Sequence, residues 1–238
     1  MTSSAAFDLF ANDYDAWFAD NRDLLDSEVR LLAFVWPGSS AARCLSVGCG
    51  TGLFEAILAR EHGIVVGEGV EPSREMAAIA RQRGMDVTMS TAEGAELGED
   101  AYDVLLFNGS TTYVADLRDA FRRARAALRP GGHIVVVDVP RESAYGLLYC
   151  LASELGTWEH PVFAGVKPAA AYPLELAKAG IWRTTAERMD ALAASGFEVV
   201  RSAQTLTRNP VHTSEGVEQP REGHDSGSYV AVVARRAA

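Results

Sequence analysis

The sequence predicts an α/β fold: a mostly parallel sheet of seven strands with helices on both faces. Three observations predict it. From residue 43 onward, short apolar runs alternate with amphipathic stretches, the rhythm of strand–helix–strand units. Ile134–Val139 is almost wholly apolar, as a strand buried on both faces of a parallel sheet must be. Cys44–Val47 runs into Gly48, Gly50 and Gly52 and then into a helical stretch, which puts a glycine corner at the end of a strand.

The elements follow in order. Phe7, Phe10, Tyr14, Trp17 and Phe18 recur at helical spacing and predict a first helix over 4–20. A second spans Asp23–Phe34 and ends before Pro37-Gly38. Strand Cys44–Val47, helix Leu53–Arg60 and strand Ile64–Val70 come next. Pro72-Ser73 opens a helix reaching about Arg83, then Asp86–Met89 is a weak strand and Tyr102–Phe107 a strong one. Asp116–Leu128 is an amphipathic helix stopped by Arg129-Pro130-Gly131-Gly132, before strand Ile134–Val139. Beyond it, 141–155 reads as helix and 156–182 as irregular. Helix Thr185–Ser195 and strand Phe197–Leu206 follow. A long polar loop, Thr207–Gly227, precedes the last strand, Ser228–Val233.

Composition narrows the function. The chain has 238 residues, 48% hydrophobic and 23% charged, enough to bury a core without disulfides. A net charge of −10 with no massed Lys or Arg argues against nucleic acid, whose binding rests on neutralising phosphates. No apolar run is long enough to span a membrane, and the N-terminus shows no signal-peptide pattern. Cys44, Cys49 and Cys150 form no CxxC pair and fit a reducing cytoplasm. His212, Glu215, His224 and Asp225 match no metal-ligand spacing and are expected to be solvated loop residues, so no metal is predicted.

The glycine corner is the most informative stretch. Glycines permit the tight turn and let a ligand approach backbone where a Cβ would intrude. Dinucleotide sites need a third small residue, and here that position is Leu53. A nucleoside without pyrophosphate fits better. Glu71 stands at the tip of the neighbouring strand, where a carboxylate can accept both hydroxyl protons of a ribose.

These residues resemble the class I S-adenosylmethionine (SAM)-dependent methyltransferases. The resemblance is carried by VGCGTG (47–52), GVEPS (69–73), Ala92-Glu93, AYDVLLFN (101–108) and LRPGGHIVVVD (128–138). The ends, FDxxAxxYDxWF at 7–18 and GSYVAVV near the C-terminus, resemble a smaller bacterial and archaeal group whose substrates are mostly unassigned. The resemblance implies a Rossmann-like sheet with an antiparallel last strand, and one methyltransferase domain over 1–238. Within it would lie an N-terminal helical cap (1–40), a SAM-binding core (41–140), a helical or lid insertion (141–195) and C-terminal strands (196–238). It implies SAM as cofactor, held by Gly48, Cys49, Gly50, Gly52, Glu71, Pro72, Ala92, Glu93 and Asn108, with Tyr14 closing over it. One departure stands out: the family's acid two residues before the first glycine is Ser46 here.

The expected reaction is metal-independent methyl transfer to a small-molecule acceptor by in-line displacement, in a monomer or homodimer. No catalytic base announces itself. Tyr113, after strand four, His160, in the insertion, and Tyr14 are the candidates; His62 and His133 read as surface residues. Asn108-Gly109-Ser110-Thr111 lacks the motif of DNA amino-methyltransferases, and Asn108 and Val139 break the acid pairs of metal-dependent catechol enzymes. Trp158, His160, Phe163, Tyr172 and Trp182 make 156–182 an expected aromatic lid over the acceptor, separable from SAM binding. Two other readings stay open: a non-catalytic binder of SAM or its demethylated product, and a nicotinamide-dependent oxidoreductase.

Overall fold

The computed structural model describes residues 3–39 and 42–237. The expected boundary between cap and core, at 40/41, lies outside the described residues. The chain opens with α1 (Ser3–Asp20) and α2 (Arg22–Val35), followed by β1 (Cys44–Val47), α3 (Leu53–His62), β2 (Glu68–Val70), α4 (Arg74–Gln82) and β3 (Asp86–Thr88). Then come β4 (Tyr102–Asn108), α5 (Leu117–Ala127), β5 (Leu128–Asp138), α6 (Ala144–Leu155), α7 (Leu174–Ala179), α8 (Thr185–Ala194) and β6 (Phe197–Thr205). A two-residue β7 (Arg221–Glu222) and β8 (Tyr229–Arg236) complete it.

The strands form one sheet in the order β3-β2-β1-β4-β5-β8-β6-β7. The first five are parallel, and β8 is antiparallel to both β5 and β6. Strand order reverses beside β1, so the carboxyl ends of β1 and β4 open a crevice, the place where open α/β sheets bind ligands.

Side chains alternate across the sheet with period two. Val104, Leu106, Val135, Val137, Ala231 and Val233 pack under α1, α2, α3 and α6. Leu105, Phe107, Ile134, Val136, Val230 and Val232 pack under α5 and α8. The helices start where their capping residues require. Ser73, Asp116 and Ser143 accept first-turn amides, and Thr184 with Glu187 forms a capping box.

Several boundaries differ from expectation. β2 begins at Glu68 rather than Ile64, because β1 offers no partner earlier than Leu45. Arg129–Gly132 does not end before a fresh strand. Leu128 already pairs with Tyr102, the four residues bulge out, and pairing resumes at His133 with Val104. The sheet has eight strands where seven are expected, since β7 adds to the free edge of β6. The segment 156–182 is less irregular than its composition suggests: it holds a 3₁₀ turn at Pro161–Phe163 and α7. No helix among the described residues is long and apolar enough to cross a membrane.

Candidate active site

A cavity of ≈ 340 Å³ lies over the carboxyl ends of β1, β2, β4 and β5. Its first end is the glycine corner. Gly48 sits at φ +75°, and a Cβ on it would meet the Ser110 Cβ at 2.5 Å. Gly50 sits at φ +55° with nothing within 4 Å of a Cβ position, and it lines the cavity. The corner therefore presents bare backbone to a ligand.

Glu71 directly follows β2 and is 5% exposed. Its carboxylate accepts the amides of Gly50 at 2.9 Å and Ser73 at 2.8 Å. Burial pushes its pKa up to about 7, against the lowering effect of those two amides. Pro72, Met76, Thr91, Ala92, Glu93 and Asn108 continue this end of the cavity. Glu93 is held by the amide of Ala115 at 2.9 Å, and Asn108 Oδ1 accepts the Tyr229 hydroxyl at 2.7 Å.

α1 roofs this end. Asp8 accepts the Ser73 hydroxyl at 2.6 Å, and Asp15 accepts the Thr51 hydroxyl at 2.7 Å while pairing with Arg83. The Phe7 ring meets Tyr113 edge-on at 4.8 Å. The roof is thus latched to the starts of both α3 and α4.

The second end is walled by rings from α1, α6 and the insertion. Tyr149 stacks on Tyr172 with centroids 5.3 Å apart, and Trp17 meets Tyr172 edge-on at 5.7 Å. Tyr113 and Tyr172 share a hydrogen bond at 3.0 Å. Burial raises the pKa of Tyr14, Tyr113, Tyr149 and Tyr229 well above the ordinary phenol value. These hydroxyls are protonated at neutral pH.

Of the expected site residues, Tyr14, Gly48, Gly50, Glu71, Pro72, Ala92, Glu93, Asn108 and Tyr113 converge on this cavity. Cys49 and Gly52 do not line it. The Cys49 sulfur packs towards Gly69 and Met85, and Gly52 sits against Met85. His160 is also absent from the lining. It is exposed, and its Nδ1 accepts the Val162 amide at 3.2 Å as the cap of the 3₁₀ turn. The lid expectation needs correction too. Trp158 and Phe163 are buried in the main core, and the Trp158 indole donates to the Tyr172 carbonyl at 2.9 Å.

Sequence reasoning missed five features. Ser46 donates to Glu55 at 2.6 Å, so an acid does stand behind the glycine corner, supplied by α3 instead of β1. Asp138, at the tip of β5, lines the cavity and is held by Thr112 and the buried Arg188. Its place at a strand's carboxyl end is a signal that could have found it. Glu28 lines the cavity from α2; its signal is a charge inside the stripe Leu24, Leu25, Leu31, Leu32. Leu206 enters the wall at φ 54°, a conformation rare for a branched side chain, and no sequence signal marks it. Tyr145 and Tyr149 look from sequence like ordinary helix residues.

A glycine corner without a pyrophosphate cradle and an acid at the next strand tip define a nucleoside-cofactor enzyme of the α/β type. A family model described as a methyltransferase domain matches residues 18–202, and the chain belongs to the class I SAM-dependent methyltransferases. A crystal structure from Thermotoga maritima, described as a SAM-dependent methyltransferase and possible histamine N-methyltransferase, superposes with a TM-score of 0.83. It is 29% identical and covers 99% of this chain and 100% of its own. An uncharacterized protein of Methanocaldococcus jannaschii is 26% identical over 230 residues, 97% of this chain and 98% of its own length. One from Mycobacterium tuberculosis is 29% identical over 237 residues, 98% of this chain and 75% of its own length.

The cofactor is SAM, and the residues present fit it. Bare backbone at Gly50 faces the cavity, a buried carboxylate, Glu71, stands at the tip of the neighbouring strand, and no basic side chain among the described residues lines the walls to demand a phosphate.

Proposed function

We propose that the enzyme methylates a small-molecule acceptor, with Gly48, Gly50, Glu71, Pro72, Ala92, Glu93 and Asn108 holding the cofactor and the ring-walled end holding the acceptor. The observation that carries this reading is the continuity of the cavity: one space joins the glycine corner to the rings of Trp17, Tyr149, Tyr172 and Trp182. SAM supplies an electrophilic methyl group on a sulfonium, open to in-line displacement by the acceptor. The chain's contribution is placement and dryness.

Glu71 accepts ribose hydroxyls while clamping the glycine corner. Asn108, fixed by Tyr229, presents its amide at the junction of the two ends. α1 and the insertion exclude water and bulk alike. A macromolecular acceptor would have to displace α1 and its latches at Thr51 and Ser73. The Thermotoga maritima protein is described as a possible histamine N-methyltransferase, and histamine is a small molecule.

The test is turnover of methyl-labelled SAM by the purified chain against thiols, amines, phenols and carboxylates. Transfer to at least one small compound, with release of S-adenosylhomocysteine (SAH), is expected. Label appearing only on protein or nucleic acid would overturn the reading.

A further inference from the structure

Four charged side chains line the cavity among the described residues, and all four are acidic: Glu28, Glu71, Glu93 and Asp138. Three have partners. Glu71 is held by two backbone amides, Glu93 by the Ala115 amide, and Asp138 by Thr112 and Arg188. Glu28 is the exception. It is 6% exposed, and among the described residues it accepts no hydrogen bond and forms no ion pair. Its neighbour Ser27 is fully engaged, donating to the Asp23 carbonyl and accepting the Glu218 amide, so α2 is held firmly while Glu28 faces the cavity.

A buried carboxylate without a donor costs free energy that a folded protein normally recovers through a partner. Here the protein offers none, which leaves the partner to a ligand. Glu28 lines the same cavity as the rings of Trp17, Tyr149, Tyr172 and Trp182. The rings there suit a cation. Trp17 and Trp182 have their indole N–H groups bonded to the carbonyls of Ala171 and Ala177, so their remaining surface is π-face and edge. Tyr149 lies 5.3 Å from both Tyr172 and Trp182. A carboxylate beside such faces attracts an ammonium twice, by charge and by cation–π contact. An anionic acceptor would meet repulsion instead.

We propose that Glu28 anchors the methyl acceptor, and that the acceptor is a small molecule carrying a cationic amino group seated between Glu28 and the rings of Trp17, Tyr149 and Tyr172. The proposal rests on the reading of the ring-walled end as the acceptor site. Burial and the nearby Asp138 charge hold the Glu28 carboxyl well above the usual carboxylate range. An arriving cation removes that penalty, so Glu28 has a differential preference for a positively charged ligand over a neutral one of the same shape.

The experiment is calorimetric titration of the full chain, saturated with SAH, with size-matched probes. One set is 2-phenylethylamine, 2-phenylethanol and 3-phenylpropanoate; the other is butylamine, butanol and butanoate. At least one amine should bind tenfold or more tightly than its alcohol, with the carboxylate weakest. Glu28→Gln, which keeps shape and removes charge, should erase that preference and leave SAH affinity within twofold. Amines binding no better than alcohols, including no detectable binding by any probe, would overturn the proposal. So would an amine preference that survives in Glu28→Gln, or a tenfold loss of SAH affinity with the amine preference intact, which would give Glu28 to the cofactor. Failure of SAH to bind strikes the cofactor reading instead, and the same titrations without SAH still decide the role of Glu28.

Discussion

Glu71 accepts the amide proton of Gly50 at 2.9 Å, so the acid that directly follows one strand holds the loop that follows its neighbour. A second bond, from the Ser73 amide, ties the same carboxylate to the start of α4. One side chain thus sets the spacing between the corner and the start of α4.

Glu71→Ala should therefore weaken SAH binding by about 1–3 kcal/mol, the range for hydrogen bonds to a charged group. The substitution should also weaken the fold, because two amides lose their acceptor. A lowered melting temperature should accompany the lost affinity, and calorimetry with a thermal melt measures both.

The ribose role proposed for Glu71 requires an ionised carboxylate, and burial has pushed its pKa up to about 7. SAH affinity should rise between about pH 6 and about pH 8 and then level off. The stability effect has the opposite slope. The native state holds this proton more tightly than the unfolded chain, whose value is 4.5, so the group's contribution is full below that value and is lost as pH rises through about 7. Glu71→Gln should flatten both profiles.

Gly50→Val should abolish SAH binding. A branched Cβ would enter the space the corner leaves to the ligand, at φ +55° where such a residue is strained. Undiminished affinity in a folded variant would remove the corner from the cofactor site.

The aromatic insertion is structural as well as enclosing. Phe163 is 2% exposed and Trp158 packs against it with centroids 5.0 Å apart. Phe163→Ala should cost about 3–5 kcal/mol in denaturant titration. Replacing 156–182 with a Gly-Ser linker should unfold the chain, not merely uncover the acceptor.

Arg188 is 3% exposed and donates to Thr112 at 3.1 Å while pairing with Asp138 at 3.4 Å. Arg188→Met should destabilise by about 3–5 kcal/mol, because Asp138 is left buried without its counter-charge. Adding Asp138→Asn should recover part of that loss, which a double-mutant cycle would measure.

The parts of this protein legible in its sequence are those with local causes. The glycine corner, the alternation of β4 and β5, and the caps at Ser73 and Asp116 each follow from a few adjacent residues. β7 was invisible because Arg221 and Glu222 have no strand pattern; only the open edge of β6 recruits them. Ser46 reads as a lost acid because its buried partner Glu55 comes from another element. Glu28 and Arg188 are charges on helices, and only the packing of α2 and α8 onto the sheet buries them. His160 looked reactive by its company of rings, yet the rings turn inward and the imidazole outward.

The latches of α1 also say when it can form its place in the molecule. Asp8 reaches Ser73, Asp15 reaches Thr51, and the Trp17 indole reaches the Ala171 carbonyl, 154 residues away. α1 has partners that exist only after the sheet and the insertion are assembled. Closing such long loops is entropically slow, and contacts of this sequence separation belong to the late stages of folding. The sheet and the insertion form an open vessel, and α1 is the piece that closes it.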